Sequence, residues 1–302
     1  MIVGLECSKF NFYSTVENAG FSRVDFNSPE VSLSNLFLKF PSHLDTQDFC
    51  FVNDCIVVIH HKACINKNTS FYNVELYPDC HTLEPKFRVK GIKLPNDENL
   101  KYPTCLTSYE NWLFLGVAGE NFRSGIFIYD LTNPTRPKLH QYLELSHSKT
   151  KNPYGLNFDG ERLLVSYFAD NSIDYFKIFL NEKTNEFVST IKSTMLGNPL
   201  TMATYKDVIY CVGHSSCDLI LVEIIGAKLQ LKKIAISGGC LNGPWGICTE
   251  GEKIYVSNLG LQDRSLPHVV ALRQINENEL KIESTRISNG AAYTVLRQIV
   301  KT

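Results

Sequence analysis

The sequence predicts an all-β chain built as a β-propeller of four-stranded blades, on three observations. One pattern recurs: a small or polar residue, often next to Pro, then an apolar run, a polar turn and a second apolar run. It reads YPTCLTSYENWLFLG from Tyr102, NPYGLNFDGERLLVS from Asn152, NPLTMATYKDVIYCVG from Asn198 and GPWGICTEGEKIYVS from Gly243, with a weaker copy, GFSRVDFNSPEVSLSN, from Gly20. The four clear copies start at residues 102, 152, 198 and 243, spacings of 50, 46 and 45 that suit one propeller blade per copy. Each copy also holds two short strand-like runs around a turn, which makes it half a blade.

The elements follow in order. In the copy from Asn152, Leu156 and Phe158 flank Asn157 and lead into Asp159-Gly160-Glu161-Arg162, a hairpin turn in which Gly supplies a positive φ. Residues 163–167 return, residues 173–180 form a third strand after a polar loop, and residues 187–194 a fourth. The next copies parse alike, with strands over 199–212, 219–225 and 229–236, then over 246–256, 269–275 and 280–287. Upstream, residues 105–117 and 125–131 lead through Pro134-Thr135-Arg136-Pro137 to 139–145. Residues 48–59 and 71–76 suit a blade with a long loop, and residues 21–40 a shortened one.

Inner-strand starts near residues 20, 48, 103, 153, 198, 243 and 290 give seven blades, with six as the alternative. The last start has too little chain after it to finish a blade. Residues 2–13 therefore supply its missing strands, and the N- and C-terminal strands close the ring without an exposed sheet edge. Residues 1–302 form a single domain on this reading.

Composition bounds the function. The chain is 44% hydrophobic with a net charge of −1, so it buries a large core and carries no electrostatic footprint for nucleic acid or membrane. The first residues lack the basic start and long apolar stretch of a secretory signal, and no run approaches a membrane span. Cys50, Cys55, Cys105, Cys211 and Cys248 lie in strand-like apolar runs, where a thiol packs as a small hydrophobe; no CxxC occurs among the ten cysteines. Reduced cysteines and a cytoplasmic location are the expectation.

Two stretches carry a resemblance. NPYGLNFDGERLLVSYFADNSIDYFKI, from Asn152, resembles the repeat of the lactonase-like propellers, the group holding 6-phosphogluconolactonase-type and YVTN-repeat proteins. GIFIYDLTNPTRPKLHQYLEL, from Gly125, resembles the LVIVD repeat, with its apolar strand, Asp and Pro-x-x-Pro turn. The resemblance is at the level of the repeat; it implies the fold and admits lactone hydrolysis, and it assigns no catalytic residue.

Antiparallel geometry places the candidate residues. The loop after each second strand emerges on the face where the Pro-containing entries begin. That entry face gathers Tyr154 and Trp245, each just after an entry Pro, with His60-His61, Glu120, Arg123, Asp170, His214, Asn258, Asp263 and Arg264 from the loops. Tyr154, His214, Trp245, Asn258 and Asp170 are the expected ligand contacts, aromatic walls with a few polar groups. If the chain is a hydrolase, Glu120, Asp170, Asn258 and Asp263 are ligand types for a divalent cation, or His214, Arg123 and Arg264 polarise a carbonyl without metal. His60 and His61 point to opposite sides of a strand and do not chelate one ion. No G-x-S-x-G, Walker loop or H-E-x-x-H occurs. The favoured function is a binding module presenting its entry-face loops to a protein or small ligand; the alternative is a lactonase-like hydrolase of a small sugar-derived or acyl lactone.

Overall fold

The computed structural model describes residues 2–7, 20–24, 36–39, 45–52, 55–64, 69–77, 100–119, 124–134, 136–145, 152–205, 208–237, 241–250, 253–258, 269–286 and 293–298. They are all-β: 24 strands in six sheets, with a single turn of 3-10 helix at Thr194–Leu196 among the described residues. Sheet I holds β1 (Ile2–Cys7), β2 (Gly20–Val24), β3 (Leu36–Lys39) and β24 (Tyr293–Gln298), in the order β24-β1-β2-β3. Sheet II is β4 (Asp45–Val52), β5 (Cys55–Cys64) and β6 (Thr69–Tyr77). Sheet III is β7 (Leu100–Tyr109), β8 (Trp112–Gly119), β9 (Ser124–Asp130) and β10 (Lys138–Glu144). Sheet IV is β11 (Gly155–Phe158), β12 (Arg162–Tyr167), β13 (Ser172–Phe179) and β14 (Thr184–Lys192). Sheet V is β15 (Pro199–Tyr205), β16 (Val208–Gly213), β17 (Asp218–Ile225) and β18 (Lys228–Lys233). Sheet VI is β20 (Pro244–Glu250), β21 (Lys253–Asn258), β22 (Val269–Asn276) and β23 (Glu279–Arg286), with β19 (Ala235–Ser237) added at its edge.

The described strands thus fall in six sheets, not seven, because the starts near residues 20 and 290 share sheet I. There β24 pairs antiparallel with β1 from Ile2↔Gln298 to Cys7↔Tyr293. A second departure is the run 229–236. It breaks at Ile234: β18 stays in sheet V, whereas Ala235–Ser237 pairs in parallel with the start of β23. That short segment covers backbone groups on the outer side of β23 that would otherwise form an open edge.

The chain divides into two compact units, Met1–His43 with Ile191–Lys301, and Leu44–Thr190 with Thr302. Sheets II, III and IV make up the second unit, where β7 lies between β4 and β11. Sheet III is buried on both faces. Leu113, Leu115 and Val117 of β8 pack with Cys50, Val57 and Ile59 of sheet II, while Phe114 between them packs with Leu163, Val165 and Phe158 of sheet IV. That double burial is why β8 reads WLFLGVAG, apolar almost throughout rather than alternating. Gly116 leaves no room for a side chain: a Cβ there would sit 2.5 Å from Cys105 Sγ in the neighbouring strand of sheet III and 3.3 Å from Pro153, just before β11.

Polar side chains stitch neighbouring sheets at the heads of the inner strands. The Asp48 carboxylate, 4% exposed, accepts the Phe49 N–H at 2.8 Å and, across to sheet III, the Leu106 N–H at 2.7 Å. Thr104 Oγ1 donates to the Pro153 carbonyl of sheet IV at 2.5 Å, and His140 Nε2 to Leu180 O at 2.7 Å; the His140 ring also lies 4.6 Å from that of Trp112. Within the first unit, β20 lies between β15 and β24, and Thr201 Oγ1 donates to the Trp245 carbonyl at 2.7 Å. The pairing of β7, β15 and β20 slips just after Pro103, Pro199 and Pro244. A bulge after the entry Pro takes a carbonyl off the ladder, and a hydroxyl of the preceding sheet supplies its donor at Trp245.

Candidate functional site

The loop joining β16 to β17 carries His214 at the entry end of sheet V. Its backbone is anchored twice: His214 N–H donates to Asn198 O at 3.2 Å and Ser215 N–H to Gly197 O at 2.9 Å. Asn198 and Gly197 reach those positions with φ of 60° and 54°. Anchoring puts the imidazole, 7% exposed, against the entry segment of sheet VI. Nδ1 is 3.1 Å from Pro244 O, and the ring stands edge-on to Trp245 at 5.5 Å and 87°. A carbonyl only accepts, so Nδ1 carries the proton and Nε2 is the lone-pair nitrogen of the neutral ring. Burial pushes the imidazole below its ordinary value of 6.5, and the bond to Pro244 offsets part of that push.

Three further residues hold the same entry segment. Cys217, half-buried with φ of 56°, accepts the Gly243 N–H on Sγ at 3.3 Å. Asn258 Oδ1 accepts the Asn242 N–H at 3.2 Å, both residues being buried, and Ser257 Oγ accepts the Gly246 N–H at 2.9 Å. With Thr201 on Trp245 O and His214 on Pro244 O, five consecutive residues, 242–246, each have a backbone group bound by a side chain. The arrangement is a braced lip whose exposed tip is Ser215-Ser216.

His214, Trp245 and Asn258 therefore meet around one segment, although by different routes. Asn258 is the last residue of β21, opposite Pro244, the place that Gly213 takes opposite Pro199; His214 lies one residue further on. The two are not equivalent positions, because a strand end, not only a loop, supplies one of them. Cys217 and Asn242 are not among the candidate residues named from the sequence. The signal available was their spacing from the entry Pro.

Tyr154 and Asp170 belong to the second unit. Tyr154 is half-buried, its N–H bonded to Ser166 O at 2.9 Å, its ring 5.5 Å from Phe168; burial pushes its phenol up. Asp170 accepts the Ser172 hydroxyl at 3.0 Å. Beneath them Tyr167 is buried, its phenol pushed up by desolvation and by Asp174, whose carboxylate accepts the Thr190 hydroxyl at 2.5 Å. Glu120, Arg123, Asp263 and Arg264 lie outside the described residues. Among the described residues no three His, Cys, Asp or Glu gather in a way that could hold a metal ion. Cys50, Cys55, Cys105, Cys211, Cys217 and Cys248 are free thiols, all but Cys217 buried, and no described helix is long and apolar enough to cross a membrane.

No protein-family model and no curated protein matches the chain. Solved structures do. The crystal structure of a nidogen/laminin complex matches with a TM-score of 0.63 at 12% identity over 98% of both chains. A putative 6-phosphogluconolactonase from Bacteroides fragilis matches at 0.60 and 11% over 95% of this chain and 82% of that one. A periplasmic gluconolactonase from Pseudomonas aeruginosa gives 0.60 and 11% over 96% and 84%. The chain resembles the lactonase-like β-propellers in fold. At these identities the propeller likeness is one of fold alone, and it joins a chain from a nidogen/laminin complex to a protein described as a putative 6-phosphogluconolactonase and to a gluconolactonase.

The His214 position makes a pH test of the lip. The folded state binds a proton at His214 less readily than the unfolded chain, so its contribution to stability is full above the unfolded value of 6.5 and is lost as pH falls from there toward the depressed folded value. Between about pH 7 and about pH 5 the urea midpoint of the wild type is expected to fall more than that of His214→Asn, whose amide keeps a donor toward Pro244 O. Parallel pH profiles would show that His214 does not titrate against folding.

Proposed function

We propose that the chain is a β-propeller binding module, one cytoplasmic domain whose blades number six and whose ring closes where β24 pairs with β1. Its ligand is a protein or a small molecule that meets the entry-side loops. The observation that carries this reading is the lip itself: the polar atoms of His214, Cys217, Asn258 and Thr201 are engaged in holding the backbone of residues 242–246. Fixing a loop before a partner arrives reduces the ordering cost of binding. Trp245, half-buried beside this frame, is the aromatic contact in its unit, with His214 and Asn258 as the polar ones. Tyr154 and Asp170 are contact residues on the entry loops of the other unit. A net charge of −1 favours neither nucleic acid nor membrane as the partner.

A lactonase-like hydrolase is the second reading, favoured by the fold of the two lactonases and by a histidine that is neutral near pH 7 with Nε2 as its basic nitrogen. Arg123 and Arg264 would then help polarise the carbonyl; a divalent cation on Glu120, Asp170, Asn258 or Asp263 is the metal-assisted variant. One panel separates the readings. Sugar and acyl lactones and sugar phosphates are tested by thermal shift and by hydrolysis on wild type, His214→Ala and Asn258→Ala. A binding module gives a raised Tm without turnover, weakened in both variants. Turnover abolished by His214→Ala would establish the hydrolase and overturn the binding reading. A ligand whose shift survives both substitutions would move the site elsewhere. No response to any compound leaves a protein partner, sought with a photo-crosslinking residue at the exposed Ser215.

A further inference from the structure

Asn242 is followed by Gly243, and glycine has no Cβ to shield its own backbone nitrogen. In such a pair the glycine nitrogen can attack Cγ of the asparagine side chain. A bond forms between that nitrogen and Cγ as the amide proton is lost, the Cγ–Nδ2 bond breaks, and ammonia leaves with a proton from water. A cyclic imide results, and water opens it at either carbonyl to leave aspartate or isoaspartate. The net exchange is one water in and one ammonia out.

Here both participants are pinned. Asn242 is 2% exposed and its N–H is bound to Asn258 Oδ1 at 3.2 Å. The attacking nitrogen, that of Gly243, has its N–H directed at Cys217 Sγ at 3.3 Å, with the glycine at φ of 60°. To attack Cγ, the Gly243 nitrogen has to give up its N–H proton, and that ends the hydrogen bond to Cys217. Cys217 is in turn held by the 214–217 turn, where its Sγ lies 3.8 Å from His214 O, and by the backbone bonds that tie this loop to residues 197 and 198. We propose that Asn242 is a deamidation site gated by the Cys217–Gly243 contact, slow while the lip is closed and faster whenever it opens. The product puts a carboxylate into residues 242–246, which carry no charged side chain, beside the neutral His214. The entry side of this unit changes charge with age. This inference does not depend on the binding reading, because its readout is chemical.

The experiment incubates the full-length folded chain at 37 °C and follows Asn242 by peptide mapping with mass spectrometry, which sees the mass gain of amide-to-acid conversion and separates the isoaspartyl peptide. Wild type, Cys217→Ala, Cys217→Ser and Ser215→Ala are compared, with the urea-unfolded wild type as the open reference. Conversion at Asn242 is expected to run about fivefold faster in Cys217→Ala, the factor that one lost hydrogen bond of about 1 kcal/mol makes in an opening equilibrium. Cys217→Ser, which keeps an acceptor, and Ser215→Ala, which changes only the exposed tip, stay near the wild-type rate. Equal rates in wild type and a folded Cys217→Ala, or a folded wild-type rate equal to that of the unfolded chain, would overturn the gate. If Cys217→Ala does not fold, Cys217→Val, which likewise removes the acceptor from the Gly243 N–H, takes its place with the same expectation and the same overturning result.

Discussion

Removing Tyr293–Gln298 is expected to destabilise the chain by about 5 kcal/mol, from the loss of a strand's ladder at about 1 kcal/mol per hydrogen bond. β24 is the end strand of sheet I, paired with β1 at every position from Ile2↔Gln298 to Cys7↔Tyr293, and it lies beside β20 of sheet VI. Without it, one side of β1 becomes an unpaired edge, free to recruit other chains. A loss of that size takes most of the stability of an ordinary domain, about 5 to 15 kcal/mol in total. The truncated chain should therefore populate unfolded or associated forms at room temperature, seen by urea titration and by light scattering. A urea midpoint unchanged from the full chain would show that β24 contributes nothing and that sheet I is complete without it.

Asp48→Ala comes next, at about 3 kcal/mol, because removing a charged acceptor strands buried donors. The carboxylate serves two backbone N–H groups, Phe49 in its own sheet and Leu106 in the next, in a site shielded from water. Asp48→Asn is the informative companion. One amide oxygen still accepts, but the NH2 group now faces a backbone donor, so the variant should recover only part of the loss. An exposed pair makes the contrast: Lys233 and Asp218 approach to 2.7 Å, yet the lysine is 59% exposed, and Lys233→Ala should change stability by less than about 1 kcal/mol. Chemical denaturation of the three variants tests the ordering; an Asp48→Ala effect as small as that of Lys233→Ala would remove Asp48 from the list of sheet-to-sheet fasteners.

Much of this architecture was legible because its punctuation is local. The Asp159-Gly160 turn announces itself, and Asp159 indeed accepts the Arg162 N–H at 2.9 Å to close it. Pro199 and Pro244 are the first residues of β15 and β20, where a missing N–H costs least, whereas Pro103 lies inside β7 just before a bulge. Long-range pairing is a different matter. Nothing near Ile2 says that Gln298 will lie opposite, so the pairing of β24 with β1 has no local signal. The break at Ile234 has a local trace, since the apolar positions Leu229 and Leu231 shift phase across Lys232-Lys233 to Ile234 and Ile236, but only the edge of β23 decides that the last part leaves sheet V. At the site, residue type pointed to His214 and Trp245, while register, set by bulges after the entry prolines, decided what Asn258 holds.

The two tryptophans of the chain fall one in each compact unit, and each lies against a histidine that also bonds a carbonyl of the adjoining sheet: Trp112 with His140, Trp245 with His214. The molecule thus carries its own pair of optical reporters. Emission from a Trp245→Phe variant speaks for one unit and from Trp112→Phe for the other, so a spectrofluorometer can follow whether the two melt in a single cooperative step or in succession without any dye being attached.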